Sequence, residues 1–348
     1  MGKSKLSATL GLVFCTALTA IVSLAADSPT ELAPSRTIDL RRQGNAGKVP
    51  VISCVILDPT GELMATAGDD HLVRLWKVRD GGLLNRCEGH QDWVRTAAFH
   101  PGGQLLATAG DDRRILLWDV VSDHLRGQLP DLPQPIYILS YSPDGKLLAA
   151  GGFDAKVRVY SVADDRLTYE LIAPGPDVTA LAFSPDGSQL AAAGRNGRIR
   201  IWATATGRSL RDLDGGTRRV HALAYSPDGT TLAAGGASRV VRLWRASSGE
   251  MLLELPERPG KILALSFCGP DLLAAGGSDN VIHLWDLPAR SERSRLVGHT
   301  GSVTTLAWNP KSDTLISGSF DTTIRMWPLK AAPAQRISRR EGVLSGGQ

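Results

Sequence analysis

Apolar and polar positions alternate in short runs along most of this chain, and the runs recur. Residues 178–213, VTALAFSPDGSQLAAAGRNGRIRIWATATGRSLRDL, hold one complete unit. It comprises an apolar run ending at Phe183, a polar SPDG, a second apolar run LAAAG, a turn around Asn196-Gly197, then RIRIW and RSLRDL. Ile199 and Ile201 alternate with Arg198 and Arg200, the period-two pattern of a strand with one buried face. SPDG reads as a tight turn because Pro presets φ at the second position, Asp suits the third and Gly relieves crowding at the fourth. The pattern predicts four short antiparallel strands per unit, a to d.

The unit has a period of 42 residues. Trp76, Trp118, Tyr160, Trp202, Trp244, Trp285 and Trp327 follow one another at intervals of 42 residues, with a single interval of 41. A second ladder runs through Leu57, Phe99, Tyr141, Phe183, Tyr225, Phe267 and Trp308. A repeat of this length marks a stacked or circular array. A linear stack would expose two apolar ends, and neither end of this chain carries a polar capping unit. A closed ring of seven four-stranded sheets is the favoured arrangement.

GHQDWVRTAAFHPGGQLLATAGDDRRILLWDV at 89–120 and GHTGSVTTLAWNPKSDTLISGSFDTTIRMWPL at 298–329 resemble WD40 repeats. The resemblance covers residues 36–330 and implies an all-β, seven-bladed β-propeller. Register indicates how the ring closes. Leu129, Leu171, Leu213, Leu255 and Leu296 end the fourth strand of successive units, but the last unit has Ser338 at that position. TIDL at 37–40 supplies the missing acidic–Leu pair upstream, so the N-terminal segment is expected to donate the outer strand of blade 7.

Outside the repeats, residues 1–25 have the anatomy of a secretory signal peptide: Lys3 and Lys5, an apolar run from about Leu6 to Leu24, and small residues at Ser23 and Ala25. Cleavage is expected after Ala25, which makes the protein periplasmic or secreted. An uncleaved N-terminal membrane anchor is the alternative, since the run nearly matches a bilayer in length. Residues 26–35 read as a linker and 331–348 as a disordered tail. The formal net charge of +4 falls to +2 without the leader, and no block of like charge stands in the body, so nucleic acid is not an expected partner. Cys54, Cys87 and Cys268 lie in apolar runs without paired spacing and read as small buried hydrophobes.

The resemblance also implies a hydrogen-bonded set in each blade: a His before strand a, a Ser or Thr on strand b, an Asp before strand c and the strand-c Trp. Blade 2 has His90, Thr108, Asp112 and Trp118, and blade 7 has His299, Ser317, Asp321 and Trp327. Blade 1 keeps Thr66, Asp70 and Trp76 but has Lys48 in the His position, and blades 3–6 have Ala150, Ala192, Ala234 and Ala275 in the hydroxyl position. His, Asp and Ser are also the residue types of an acyl-transfer triad, but recurrence at fixed phase beside a core Trp places them inside blades. No catalytic residue, metal ligand or cofactor site is assigned, because phosphate-loop, zinc, haem and nucleophile-elbow motifs are all absent from the sequence.

Residues out of phase with the scaffold are free for other roles. Trp93, Tyr137, Phe153 and Phe320 are such residues, and all belong to loops or strand starts on the face formed by the d–a and b–c loops. The counterparts of Phe153 are Asp69, Asp111, Arg195, Ala237 and Ser278, with Arg95, Arg219 and His221 nearby. Exposed aromatics and arginines beside charge are the usual anchors of an interface. This face is therefore expected to bind a protein or peptide; the bland alternative is that Trp93 folds over its own blade and Phe153 and Phe320 plug the central channel. The function expected is that of a non-catalytic, monomeric interaction scaffold. A propeller enzyme or small-ligand binder using the channel is the competing reading.

Overall fold

A computed structural model describes residues 29–42, 50–122, 124–216 and 218–330. These residues form seven antiparallel sheets arranged as a ring, with strand a innermost. The inner strands run Ile52–Leu57, Val94–Phe99, Ile136–Tyr141, Ala180–Phe183, Val220–Tyr225, Ile262–Phe267 and Val303–Asn309. Residues 1–25, read as a signal peptide, Lys48, and residues 331–348, read as a tail, lie outside the described residues.

The core is divided into seven clusters, each shared by two neighbouring blades. Trp118 of blade 2, for example, packs with Ala65, Leu75 and Cys87 of blade 1, and Trp202 of blade 4 with Val157, Val159 and Leu171 of blade 3. The in-phase aromatic ladder is therefore the inter-blade filler, and the Ala-rich b strands allow adjacent sheets to approach closely. Cys54, Cys87 and Cys268 are buried. Burial pushes the Cys54 thiol up to about 11, so it stays protonated at neutral pH.

The ring closes as the register indicates. Strand β2, Arg36–Asp39, pairs antiparallel with Thr323–Pro328 and completes blade 7. Its Ile38, with the following Leu40, enters the cluster between blades 7 and 1, beside Ile52, Trp76 and Ile324. Hydroxyls secure the same seam: Thr304 Oγ1 donates to Ile52 O at 2.6 Å, and Thr305 Oγ1 accepts from Val55 N at 3.0 Å.

The stretch read as a linker differs from expectation. Thr30–Leu32 form a strand, β1, that pairs parallel with Ser291–Leu296 and gives blade 6 a fifth strand. Leu32 packs against the cluster between blades 6 and 7, and Val297 N donates to Leu32 O at 2.9 Å. The apolar Leu32 and the open edge of blade 6 explain why this segment is held to the ring.

Candidate functional site

The inner strands carry an irregularity that builds the centre of the ring. In six blades strand a skips one residue in its pairing with strand b, and the skipped residues are Ser53, Arg95, Tyr137, His221, Leu263 and Thr304. A bulge frees one residue from the ladder and re-aims its side chain. Together with Thr179, which immediately precedes the shorter strand of blade 4, these residues line a central cavity of about 350 Å³.

In five of the six bulged blades strand b ends in a glycine, Gly68, Gly110, Gly152, Gly236 or Gly277, against which the residue before strand a is pressed, while blade 7 has Ser319 there. A Cβ on Gly110 would stand 1.9 Å from Trp93 O, and one on Gly152 would stand 2.0 Å from Pro135 O. The same carbonyls accept from the amides of Asp111 at 2.9 Å and Phe153 at 3.0 Å, and Phe320 N donates to Ser302 O at 3.0 Å. Residues 111, 153 and 320 are thereby pinned by their backbones, and the side chains of 111 and 153 meet the bulge residues of their own blades.

Three of the seven cavity-facing residues at the strand starts are consumed in fastening blades together. Ser53 Oγ donates to Val94 O at 2.5 Å, Thr179 Oγ1 to Val220 O at 2.6 Å, and Thr304 to Ile52 as described. Arg95, Tyr137, His221 and Leu263 are left to give the cavity mouth its chemistry.

At blades 2 and 3 the mouth is aromatic. The Arg95 guanidinium lies 3.9 Å from the Trp93 ring centroid and 5.2 Å from that of Tyr137. Arg95 also donates twice to Asp111, from Nε at 2.8 Å and Nη2 at 2.6 Å. Tyr137 meets Phe153 edge to face at 5.2 Å. Phe153 and Phe320 are 40% and 42% exposed, whereas Trp93 is half-buried and its indole N–H has no partner among the described residues. Trp93, Arg95, Tyr137 and Phe320 all line the cavity. Asp69 accepts from Val51 N at 2.9 Å.

At blades 4 and 5 the mouth is cationic. The buried Asp177 carboxylate receives Arg219 at 2.9 Å and Arg195 at 3.3 Å. His221 points into the cavity beside them. Burial, then the charges of Arg219 and Lys261, bring its imidazole down to about 4, so it is neutral at physiological pH.

The two polar sets stand apart from this cavity. His90 meets Asp112 through Nδ1 at 2.7 Å and Thr108 through Nε2 at 2.7 Å, and Trp118 Nε1 donates to Thr108 Oγ1 at 2.8 Å. Blade 7 repeats this with His299, Asp321, Ser317 and Trp327 at 2.7 to 2.8 Å. The Trp N–H can only donate, so the hydroxyl proton goes to His Nε2 and the Nδ1 proton to the carboxylate. Burial tends to raise the Asp112 pKa, but the hydrogen bond from His90 and two backbone amides hold it below the usual carboxylate range. Thr108 and Ser317 have no exposed surface, which leaves a substrate no approach to the hydroxyl.

Other blades satisfy the same Asp differently. Arg74 reaches Asp70 at 2.6 Å and Arg158 reaches Asp154 at 2.8 Å, while in blade 6 Arg258 and His283 converge on Asp279 at 2.9 and 3.1 Å. Sequence reasoning missed these substitutes, although the recurring Asp-x-x-x-Arg/His spacing signals them. It also missed Asp177 and Lys261. Both occupy the position of Trp93 in their own blades, each with its carbonyl pressed against the glycine that ends strand b. Comparing that slot around the ring would have found them.

Comparison with known proteins agrees with the repeat pattern. The WD domain, G-beta repeat model matches residues 40–77, 81–119, 126–161, 166–203, 207–245 and 290–328, more than half of the chain. Blade 6 falls in the gap between the last two segments. A periodic tryptophan protein 2 homolog of Neurospora crassa is 42% identical over 48 residues, 14% of this chain and 5% of its own length. The B-type cell cycle switch protein ccs52A of Medicago truncatula is 36% identical over 70 residues, 20% of this chain and 15% of its own. Coronin-7 of Rattus norvegicus is 33% identical over 75 residues, 21% of this chain and 8% of its own. The chain thus spans a small fraction of each of these relatives.

Proposed function

Since this chain belongs to the WD40-repeat family, whose propellers are typically protein-interaction scaffolds and generally non-catalytic, we propose that it is a non-catalytic scaffold acting outside the cytoplasm. It holds a protein or peptide partner on the face formed by the d–a and b–c loops, at the mouth of the central cavity. The supporting observation is the placement of Phe153 and Phe320, 40% and 42% exposed, beside a cavity whose mouth is lined by Trp93, Arg95 and Tyr137. Large apolar side chains exposed next to arginine on one surface are the features of an interface centre. Export rests on the leader sequence.

Phe153→Ala combined with Phe320→Ala is expected to abolish partner capture from the native envelope fraction while leaving the melting temperature within a few degrees. Retained capture would remove this face from consideration, and a large fall in melting temperature would show that both rings belong to the core. A cavity of about 350 Å³ is also within the range of small-molecule sites, which supports a second reading as a small-ligand binder. In that case His221→Leu, set inside the cavity, would impair function more than the paired phenylalanine variant.

A further inference from the structure

The acidic side chains around the cavity mouth are already engaged. Asp111 is held by Arg95, Asp177 is shared by Arg195 and Arg219, and Asp69 accepts from a backbone amide. The cations are in excess on one side. One carboxylate serves two guanidiniums at Asp177, and the exposed Arg218 and Lys261 form no ion pair among the described residues. Arg218 and Lys261 line a shallow groove of about 630 Å³ together with Arg239, Arg242, Glu257 and the exposed Asp214, so that four cations face two carboxylates, and Lys261 stands two residues before the cavity-lining Leu263. The neutral His221 between groove and cavity contributes no counter-charge of either sign.

The face therefore has two unlike halves. At blades 2 and 3 it is aromatic and its arginine is neutralised. At blades 4 to 6 it carries unpaired positive charge. The carboxylates at the mouth, Asp69, Asp92, Asp111 and Asp177, each already accept a hydrogen bond, whereas an anionic ligand would give Lys261 a partner and relieve the sharing of one carboxylate by Arg195 and Arg219. We propose that the occupant of this face is an extended acidic peptide segment, in which a large apolar side chain enters the cavity mouth against Phe320 and Tyr137 and the adjacent carboxylates pair with Arg195, Arg219 and Lys261. This rests on the partner-binding reading above and specifies its chemistry. A peptide is favoured over other polyanions because the positive charge is local and borders an aromatic pocket, while the chain as a whole carries a formal charge of only +4.

The test uses three fluorescein-labelled decapeptides on a Gly/Ser background, measured by anisotropy: one with a central Phe followed by two Glu, one with Lys replacing both Glu, and one with Ala replacing Phe. The acidic Phe peptide is expected to bind at least about tenfold tighter than either of the others and to weaken with added salt. Arg195→Glu with Lys261→Glu should reverse the preference between Glu and Lys peptides, and the milder Arg218→Gln with Lys261→Gln should weaken the acidic peptide if the reversal variant does not fold. Equal affinity for the Lys peptide, or an affinity unmoved by these variants, would overturn the proposal. So would the absence of acidic-peptide binding below about 1 mM, or tighter binding of a single-stranded oligonucleotide of matched length. The two readings separate on Phe153→Ala with Phe320→Ala. If the Lys peptide binds as well as the acidic one and this variant abolishes both, the face is a docking surface and only the charge inference fails. If no peptide's binding responds to this variant, the docking surface itself is lost.

Discussion

The Arg95 guanidinium stacks 3.9 Å from the centroid of the Trp93 ring while two of its N–H groups are held by Asp111. Trp93 is thus covered by its neighbour, and a cation–π contact in a partly dry site contributes on the order of 1 kcal/mol beyond packing. Of the four out-of-phase aromatics on this face, Phe153 and Phe320 are the accessible ones, and Trp93 and Tyr137 form the layer beneath.

Trp93→Ala is therefore expected to lower stability by about 2–4 kcal/mol, somewhat under the range for a fully buried aromatic because Trp93 is half-buried. Phe153→Ala or Phe320→Ala alone should cost less than about 1 kcal/mol. Urea unfolding of the three variants checks this ordering, and an equal cost at all three positions would contradict the layered arrangement.

Closure of the ring depends on β2. Ile38 is 9% exposed and Leu40 is 2% exposed, and each carries a typical large-to-small cost of about 2–5 kcal/mol. A chain beginning at residue 41 should therefore lose cooperative folding. One beginning at residue 34, without β1, should keep it at reduced stability, and one ending at residue 330 should match the full chain. Calorimetry of the three truncations distinguishes closure by β2 from closure by any other segment.

Stability should fall with acidification before the carboxylates titrate. The His221 imidazole is shifted from 6.5 to about 4, first by burial, so the unfolded chain binds the extra proton between those values. Its contribution is complete above about pH 6.5 and is lost as pH falls towards 4, amounting to up to about 3 kcal/mol. His299 is shifted downward by burial as well and acts in the same direction. His221→Gln should flatten the decline in urea midpoint between pH 7.5 and 5; an unchanged slope would show that His221 is not its source.

Blade 6 offers a gain. Trp285 Nε1 is buried without a partner among the described residues, and the position that supplies a hydroxyl in blades 2 and 7 is Ala275. Ala275→Ser is expected to stabilise the fold by about 1 kcal/mol by giving this N–H an acceptor. The reverse change, Thr108→Ala, strands Trp118 Nε1 and His90 Nε2 together and should cost about 2–4 kcal/mol. Paired melting curves of the two variants test whether the hydroxyl has the same role in both blades.

Much of the architecture was legible in the sequence. The period-two runs, the Trp76-to-Trp327 ladder, the SPDG turns and the closing TIDL are each written within a few residues of chain, because hairpin sheets pair neighbours in sequence and bury one face of each strand. The two four-membered sets of blades 2 and 7, each with one histidine, were legible through the resemblance to WD40 repeats, which implies them position by position.

What only the tertiary structure decided lies between repeats. The bulges that turn Arg95, Tyr137 and His221 to the axis arise where the residue before strand a is pressed against the glycine ending strand b. The sharing of Asp177 by Arg195 and Arg219 joins adjacent blades, and the parallel docking of β1 joins residues more than 260 positions apart. No window of sequence contains both partners of such contacts. Local pattern determined which residues form blades, and ring closure determined which loop residues face one another across the centre, because only a closed circle brings loops from successive repeats to a common mouth.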